Sequence, residues 1–304
     1  MLDVRKLFLL RELAHRGTIA AVADALCYTP SAVSQQLAVL ERDAGLPLLQ
    51  RSGRGVVLTP AGAALAAQTE QILAVLEQAD AALAAARTGL SGPLRIGAFT
   101  TAVRSILPAA LVALGRDHPG LELMVTELDP AAVPGALRSG ALDVALTHEY
   151  DHVPAAPDPA LDTEPLLDEA IFLASPGPLG GPRAPGENPV SDHRDSPWIV
   201  ASPDTLCHAM TVRTCQAAGF SPRIRHQADD FATVLALVAA GQGVALVPEL
   251  GAVGAPGEVT LVPLPTRRRT RIAYRNGTRC QPAISACIDA IRAAAATLAG
   301  QAAG

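Results

Sequence analysis

The sequence predicts an α/β protein in three successive parts: a helix-rich N-terminal domain, a long linker helix, and a two-lobed, doubly wound α/β domain. Three observations support this division. Residues 1–59 combine short helical patterns with a hairpin signal. Residues 60–88 contain one helical pattern without an internal proline. From residue 94 onward, strand and helix patterns alternate, which is typical of sheets built from βαβ units.

Length and composition limit the class of protein. At 304 residues the chain is long enough for two or three domains with separate cores. Hydrophobic residues make up 49% of the sequence but aromatic residues only 3%, so the core is expected to be aliphatic. No apolar run is long enough to span a membrane, and the N-terminus lacks the features of a signal peptide. Because the five cysteines show no framework spacing, we expect a reduced, cytoplasmic protein without a membrane partner.

The net charge of −5 is distributed unevenly along the chain. Residues 1–60 hold seven Arg and Lys against five Asp and Glu, a net charge of +2. Residues 61–93 hold one against three, and residues 94–304 hold 16 against 21, giving −2 and −5. A weakly basic segment ahead of an acidic remainder predicts one small DNA-contacting domain, because Lys and Arg neutralise phosphates.

Two short helices joined by a tight turn are predicted between residues 18 and 41. Thr18 is placed to cap the first helix. Thr29 is placed to cap the second, with Pro30 at the first helical position, where a backbone N–H is not needed. The second helix opens with small hydroxyl and amide side chains, which suit contacts with base edges in the DNA major groove. The candidates for these base contacts are Ser31, Ser34 and Gln35.

A hairpin is predicted after Gly45, where two apolar arms flank Ser52-Gly53-Arg54-Gly55. Arg51 lies at its base and Arg54 at its tip. Arginine at these points suits contacts with DNA phosphates or with an A·T-rich minor groove. The hairpin is therefore expected to act as a wing, and Thr29, Arg51 and Arg54 are expected mostly to position the domain on the DNA backbone.

The spacing of these residues resembles the winged helix-turn-helix of LysR-type transcriptional regulators over roughly residues 2–65. The matching residues are Ala21, Ala23, Leu26, Ser31-Ala32-Val33-Ser34, Leu40-Glu41, Gly45, Leu48-Leu49, Arg51 and Leu58-Thr59-Pro60-Ala61-Gly62. Two departures are packing changes: Thr18-Ile19 stands where the family usually has Ser-Phe, and Leu49 where it usually has Phe. The resemblance implies that residues 1–59 form a DNA-binding domain. The expected DNA contacts are Thr29, Pro30, Ser31, Ser34, Gln35, Arg51 and Arg54.

Residues 60–88 are predicted to form a linker helix that dimerises the protein. Apolar and small residues recur along it at alternating spacings of four and three, as in a coiled-coil seam. These positions are Leu65, Thr69, Ile72, Leu76, Ala79, Leu83 and Ala86. The dimer contacts are expected from Leu65, Ile72, Leu76 and Leu83; the alternative is a helix that packs only on its own domain. A two-fold dimer would match an inverted-repeat operator in double-stranded DNA, and the resemblance adds a tetramer as the common final assembly.

Residues 94–304 are predicted to form two α/β lobes that resemble the periplasmic-binding-protein-like effector domain of the same family. The predicted strands cover residues 94–99, 121–128, 141–149, 169–176, 197–202, 223–228, 243–250 and 259–275. The resemblance rests on LRIGAF, GALDVAL, the glycine step from Ala239 to Gly243, and Val247-Pro248. It implies that lobe 1 comprises residues 94–163 and about 268–304, and lobe 2 residues 164–267, with a small-molecule effector bound between them.

Candidate effector contacts follow from the strand ends, because ligands of open α/β sheets bind beyond the carboxyl ends of the strands. Thr100 and Thr101 follow the first strand and open a helix. Their hydroxyls and the free backbone N–H groups suit a carboxylate or a phosphate. The complete set of expected effector contacts is Thr100, Thr101, Arg104, His148, Ser202, Phe231 and Pro248.

No catalytic site, metal site or cofactor is predicted, so the chain is not expected to be an enzyme. The sequence contains no H-E-x-x-H, G-x-S-x-G or P-loop pattern. His148 and His152 are four residues apart, but Pro154 favours a loop over a metal-binding helix. A basic run is interpreted as a solvated strand edge, with a phosphate or lobe-interface role as the alternative. It comprises Arg267, Arg268, Arg269 and Arg271.

Cys207 and Cys215 raise the alternative of a redox-sensing regulator. Peroxide-sensing members of the family have two cysteines in about this region, although Cys207 is one residue out of register. Eight residues of helix separate two Cα atoms by about 12 Å, whereas a disulfide needs less than about 7 Å. The main interpretation is therefore a regulator that responds to an effector, with RNA polymerase as a partner when it activates. A solute-binding protein is a further alternative, which the DNA-contacting N-terminus disfavours.

Overall fold

The structure, a computed structural model, describes residues 2–52, 55–85, 89–155, 157–177 and 188–302. Arg54, a predicted DNA contact, and Ala86, the last position of the predicted coiled-coil seam, lie outside these residues. Contacts divide the chain into two compact units. Unit one comprises Met1–Arg87 and Arg275–Gln281, and unit two comprises Thr88–Tyr274 and Pro282–Gly304. In the described part of the chain, no helix combines the length and the apolar character needed to cross a bilayer.

Unit one contains helices and a two-stranded hairpin. Its elements are α1 (Val4–Arg16), α2 (Ile19–Ala25), α3 (Pro30–Ala44), β1 (Leu49–Ser52), β2 (Gly55–Leu58) and α4 (Pro60–Ala85). Asp3, Thr18 and Thr29 cap the first three helices, because their side chains accept hydrogen bonds from backbone N–H groups of the first turn. Gly17 and Gly45 end α1 and α3 in the left-handed conformation. The predicted helix pair and hairpin are both present.

An aliphatic core joins the helices of unit one. Leu10, Leu37 and Leu40 are fully buried in it. The first turn of α4 approaches the chain just before the hairpin, at Gly62. A Cβ on Gly62 would lie 2.1 Å from the carbonyl oxygen of Leu48, so a larger residue would force the two segments apart.

A buried ionic network links α1 to α4. Arg11 and Glu12 expose only 4% and 0% of their surfaces. Glu12 accepts hydrogen bonds from Arg11 at 2.8 Å and from Arg16 at 2.7 Å. Arg11 also lies 3.5 Å from Glu70 of α4. The sequence pattern did not indicate this network, because charged residues on a helix are usually solvated unless a partner helix covers them.

Unit two is a mixed α/β domain. Its strands are β3 (Gly92–Ala98), β4 (Leu121–Glu127), β5 (Val144–Tyr150), β6 (Leu161–Pro176), β7 (Pro197–Val200), β8 (Arg223–Gln227), β9 (Ala245–Pro248) and β10 (Val259–Arg275). Its helices are α5 (Thr100–Ser105), α6 (Leu107–Asp117), α7 (Val133–Arg138), α8 (Leu206–Ala217), α9 (Phe231–Ala239), α10 (Glu249–Ala252) and α11 (Pro282–Ala302). Short 3-10 helices cover Pro130–Ala132 and Pro189–His193.

The main sheet has six strands in the order β4-β3-β5-β10-β6-β9, and β7 and β8 form a separate pair. As βαβ units predict, β3 pairs in parallel with β4 and β5, and β7 pairs in parallel with β8. However, β10 pairs antiparallel with β5, and β6 pairs antiparallel with β9. The predicted α/β class is confirmed, but the sheet is mixed rather than wholly parallel. The difference comes from β6 and β10, two strands of 16 and 17 residues that join the sheet in the opposite direction.

The described residues of unit two form more than one hydrophobic core. In one core, α6 and α11 pack on β3 and β5, with Ile96 and Ile288 fully buried. Another core surrounds Trp198, which is also fully buried, and includes Met210 and Leu246. Because Trp198 is the single tryptophan of the chain, its fluorescence reports on the folding of unit two alone.

Candidate functional site

Unit two contains a cavity of about 320 Å³ at the carboxyl ends of β3, β4, β7 and β8. Its lining residues are Phe99, Thr100, Thr101, Glu127, Leu128, Asp129, Pro130, His148, Ala201, Thr205, Cys207, Asp229, Phe231 and Arg268. Open α/β sheets bind ligands at this end of their strands. The volume falls at the lower limit of ligand sites, which span roughly 300–1,000 Å³. The cavity is therefore a candidate site for a small ligand.

Four of the seven predicted effector contacts line this cavity: Thr100, Thr101, His148 and Phe231. Thr100 and Thr101 open α5 directly after β3, as strand-end counting predicted. Phe231 opens α9, which Asp230 caps by accepting a hydrogen bond from the backbone N–H of Thr233.

Three predicted contacts are not among the residues that line the cavity. Arg104 forms an exposed ion pair with Asp230 at 3.2 Å and borders a different cavity. Ser202 donates its backbone N–H and its hydroxyl to Asp229, each at 2.7 Å. Pro248 is buried in β9, opposite Ile171 of β6. Counting from strand ends therefore selected four residues that line one cavity, but it does not give the direction of each side chain.

One of the lining residues, Arg268, belongs to a buried ion pair. Arg268 exposes 1% of its surface and pairs with Glu169, which is equally buried. Arg268 also donates to the Thr101 hydroxyl at 3.0 Å, and its guanidinium lies 4.8 Å from the centre of the Phe99 ring. Glu169 accepts a second hydrogen bond from the backbone N–H of Leu250 at 2.9 Å. The interpretation of the basic run as a solvated edge is wrong for Arg268, since alternate residues of β10 point inward.

His148 is a buried imidazole that has no hydrogen-bonding partner among the described residues. It exposes 3% of its surface, and neither ring nitrogen meets a donor or acceptor in the described part of the chain. Its ring packs edge-on against Phe99 and Tyr150, at 4.6 and 5.0 Å between ring centres. Burial, with the nearby charge of Arg268, lowers the pKa of His148 well below its ordinary value of 6.5. The imidazole is therefore neutral at physiological pH, and both nitrogens are available to a ligand.

The cavity is also lined by three carboxylates that the sequence did not indicate as effector contacts. They are Glu127, Asp129 and Asp229. Glu127 accepts a hydrogen bond from the Thr100 hydroxyl at 2.6 Å. Asp129 accepts one from the backbone N–H of Ala131 at 2.8 Å. Single acidic residues at or just after the end of a strand are common, so no pattern in the sequence distinguished these three.

Cys207 lines the cavity, whereas Cys215 lies in the Trp198 core. The Cys207 sulfur is 3.2 Å from the Tyr150 hydroxyl. Burial raises the pKa of the Cys207 thiol, and burial raises that of Cys215 to about 12. Both cysteines are therefore protonated thiols at neutral pH. A thiol that reacts with oxidants acts as the thiolate, so this environment slows such chemistry.

In unit one, the residues predicted to contact base edges lie on one exposed face of α3. Ser31, Ser34 and Gln35 are all exposed, and their spacing of three and four places them side by side on the helix. Thr29 is exposed too, and its hydroxyl accepts a hydrogen bond from the backbone N–H of Ala32 at 3.2 Å. Pro30 and Arg51 are also exposed.

Glu41 attaches the hairpin to α3. One of its carboxylate oxygens accepts hydrogen bonds from the backbone N–H groups of Leu48 and Leu49, each at 2.9 Å. These bonds fix the first residue of β1 against the C-terminal half of α3. They therefore hold Arg51, two residues further on, at a defined distance from the exposed face of α3.

The predicted seam of α4 divides into two parts. Leu65 packs against the core of unit one. Ile72, Leu76 and Leu83 expose 37%, 43% and 69% of their surfaces, and Val75 exposes 62%. In a single chain the second half of α4 therefore leaves a row of large apolar side chains in contact with water.

Comparison with known families identifies two parts of the chain separately. Residues 4–63 match the bacterial regulatory helix-turn-helix protein, lysR family, and residues 87–296 match the LysR substrate binding domain. The chain belongs to the LysR family of transcriptional regulators. The family resemblance inferred from the sequence is confirmed.

Relatives of this LysR-type regulator include proteins with different names. It is 35% identical to a probable hydrogen peroxide-inducible genes activator of Mycobacterium avium, over 78% of this chain and 74% of that protein. It is 28% identical to the HTH-type transcriptional activator IlvY of Salmonella typhimurium, over 94% of this chain and 93% of that protein. Among solved structures it is similar to a Corynebacterium glutamicum OxyR C206 mutant, with 25% identity, a TM-score of 0.57, and coverage of 100% of this chain and 95% of that one.

Lowering the pH from about 7.5 to about 5.5 is expected to destabilise unit two more in the wild-type regulator than in a His148→Phe variant. The pKa of His148 is lowered in the folded chain, so below its ordinary value of 6.5 only the unfolded chain binds this proton. The stability contributed by the neutral imidazole is complete above that value. Below it, the stability falls by about 1.4 kcal/mol per pH unit until the lowered pKa is reached.

The measurement is denaturant unfolding of the full chain, followed by Trp198 fluorescence at a series of pH values. His118→Phe, a change outside the cavity lining, is the matched control. An equal dependence on pH in the wild type and in His148→Phe would contradict the assignment of a neutral, buried His148.

Proposed function

We propose that this LysR-type regulator binds an inverted-repeat operator in double-stranded DNA and that a small molecule in the cavity of unit two changes how it binds. One observation supports this most directly: an exposed helix with DNA-contacting chemistry and a cavity with an unpartnered buried imidazole occur in one chain. The relatives are named as activators of gene expression, which fits the same function. We expect it to act in the cytoplasm, and to contact RNA polymerase when it activates.

Each of the three successive parts of the chain has its own proposed role. Residues 1–59 bind DNA, residues 60–88 dimerise the protein, and residues 94–304 bind the effector. Binding of the effector closes or shifts the two lobes, 94–163 with about 268–304 against 164–267. The packing between effector domains in a dimer or tetramer then changes, and the spacing or bend of the bound DNA changes with it.

Within the DNA-binding domain, Ser31, Ser34 and Gln35 are proposed to contact base edges. Thr29, Pro30, Arg51 and Arg54 are proposed to position the domain on the backbone or in the minor groove. The first role needs side chains that donate and accept hydrogen bonds in the plane of a base pair. The second needs only positive charge or hydrogen-bond donors near phosphates.

Gln35→Ala and Arg51→Ala are expected to have different effects on operator binding. Gln35→Ala should cost about 1–3 kcal/mol on the preferred operator and relax the preference at one base pair. Arg51→Ala should weaken binding to all sequences and reduce the slope of log affinity against log salt by about one. The measurement is fluorescence anisotropy of the full chain on a set of single-base operator variants at several salt concentrations.

The matched control is Gln36→Ala, which removes the same side chain from the next residue of α3. Gln36 is exposed but lies on a different side of the helix from Ser31 and Gln35. We expect it to retain both the affinity and the base preference. An equal loss on every operator variant for Gln35→Ala would count against a base contact by Gln35.

Thiol redox sensing is a second candidate function. It is favoured by the name of the Mycobacterium avium relative and by the position of Cys207 in the cavity. Three observations weigh against it. The pKa of both thiols is raised, the sulfur of Cys207 is engaged by Tyr150, and Cys215 lies in a packed core.

Cys207→Ser is expected to leave operator binding unchanged before and after treatment with hydrogen peroxide, as is the wild type. The raised pKa keeps Cys207 as a thiol, and oxidants react with the thiolate. A footprint of the operator with and without peroxide is the measurement, and Cys280→Ser, a change at an exposed cysteine, is the control. If peroxide changes the wild-type footprint and Cys207→Ser abolishes that change, the redox function replaces the effector function.

A further inference from the structure

The charges around the cavity are unbalanced. Glu127, Asp129 and Asp229 line it, and none of the three forms an ion pair with any residue that the structure describes. Their hydrogen bonds come from uncharged groups, namely a threonine hydroxyl, a backbone N–H, and both polar groups of Ser202. Each carboxylate has about four acceptor positions, so acceptor capacity remains.

Among the described residues of the lining, the one Arg or Lys side chain is already neutralised. Arg268 is paired with the buried Glu169, and it also donates to Thr101. Arg104, a basic residue of α5, is not among the lining residues and pairs with Asp230. An entering carboxylate would therefore approach three carboxylates and find no uncommitted Arg or Lys among the lining residues that the structure describes.

A second observation shows that the cavity is built for a polar ligand. His148 lines the cavity and exposes only 3% of its surface. Its two ring nitrogens have no partner among the described residues. An unsatisfied buried imidazole is costly unless a ligand or water bonds to it. Phe99 and Phe231 provide aromatic surface beside it, and an aromatic face attracts a cation.

We propose that the cavity binds a small organic cation, in which an ammonium group lies among Glu127, Asp129 and Asp229 and an apolar body packs against Phe99 and Phe231. The inference rests on the proposed effector function of this cavity and adds the chemical class of the ligand. It also replaces the anionic ligand suggested by the hydroxyls and free N–H groups at Thr100 and Thr101. The three carboxylates, unseen in the sequence pattern, reverse the preferred charge.

The test uses three probes that share one body and differ in one group: 2-phenylethylamine, 2-phenylethanol and 3-phenylpropanoate. A second series, butylamine, butanol and pentanoate, repeats the comparison with an aliphatic body. Binding to the full-length protein is measured by calorimetry at low salt. We expect the amine to bind at least about tenfold more tightly than the carboxylate in one or both series. A carboxylate that binds as tightly as its amine in both series, or two amines that do not bind, would overturn the proposal.

Charge-neutral variants locate the ammonium group. Glu127→Gln and Asp129→Asn keep an oxygen to accept the hydrogen bonds from Thr100 and Ala131, so the local fold is preserved. Each is expected to weaken the bound amine about three- to tenfold and to leave the alcohol unchanged. Glu122→Gln is the matched control, because Glu122 is an exposed acid on the same strand and does not line the cavity. An equal loss of amine affinity in Glu122→Gln and Glu127→Gln would overturn the proposal, because the affinity would then depend only on the overall charge of the protein and not on a contact with Glu127.

The proposal of a cationic ligand and the proposal that the cavity regulates DNA binding can be contradicted separately. Operator binding by the wild-type chain is measured with and without the bound amine. If the amine binds and the operator complex does not respond, the ligand class stands and the regulatory role of the cavity falls. If a carboxylate binds in place of the amine and the operator complex responds to it, the regulatory role stands and the cation proposal falls.

Discussion

Leu76→Glu is expected to convert the regulator to a monomer and to lower its affinity for a full operator by at least about 100-fold. Leu76 belongs to the row of exposed apolar side chains on α4, with Ile72 and Leu83. If this row forms the dimer seam, the new carboxylate is buried against its partner without a counter-charge. The two DNA-binding domains then bind separately, and the advantage of a linked pair is lost. Light scattering gives the oligomeric state, and anisotropy gives the affinity.

Gln78→Glu is the matched control for this variant. It adds the same charge to the same helix two residues away, at an exposed position outside the seam. We expect it to remain dimeric or tetrameric. Binding to a half-operator distinguishes loss of dimerisation from damage to the DNA-binding domain. A monomer in which residues 1–59 are intact is expected to bind the half-site with the same affinity as one DNA-binding domain of the wild type. A dimeric Leu76→Glu variant with wild-type operator affinity would contradict dimerisation through this seam.

Arg268→Met is expected to destabilise unit two by about 3–5 kcal/mol. The change leaves the carboxylate of Glu169 buried, with the backbone N–H of Leu250 as its remaining described partner. A buried charge without its counter-charge costs several kcal/mol, and the cavity loses one of its lining side chains. Denaturant unfolding followed by the fluorescence of Trp198 measures the change in unit two.

Two further variants separate the ion pair from simple packing. Adding Glu169→Gln to Arg268→Met removes the unpaired charge and should recover a large part of the lost stability. Arg267→Met, at the adjacent residue, breaks an exposed ion pair with Asp168 and should cost less than about 1 kcal/mol. A loss below about 1 kcal/mol for Arg268→Met would show that the buried pair is not a structural element.

The N-terminal domain follows from the sequence because its signals are local. Thr18 and Thr29 are helix caps that act within three residues, and Pro30 suits only the first turn of a helix. The exposed face of α3 follows from helical spacing in the same way. The buried network of Arg11 and Glu12 does not, because its environment depends on α4, more than 50 residues away in the chain.

The effector domain is predicted less completely because its site depends on long-range pairing. Arg268 and Glu169 are 99 residues apart in the sequence and meet only because β6 and β10 are neighbours in the sheet. Burial alternates along β10, so alternate residues of the basic run point inward, and the run of arginines alone did not show which of them is covered. The ends of the predicted strands were enough to select Thr100 and His148, which line the cavity. The direction of the Ser202 side chain instead depends on Asp229, 27 residues later.

Whether this chain is a DNA-binding regulator that responds to a ligand is tested most directly by a footprint of the 304-residue protein on its gene's own upstream region at physiological salt. The footprint is repeated with a compound that binds the cavity, chosen by its effect on the thermal unfolding of the protein. The expected result is protection of an inverted repeat in preference to random DNA, with a protection pattern that changes when the compound is present. Equal affinity for the upstream fragment and for random DNA would contradict the claim.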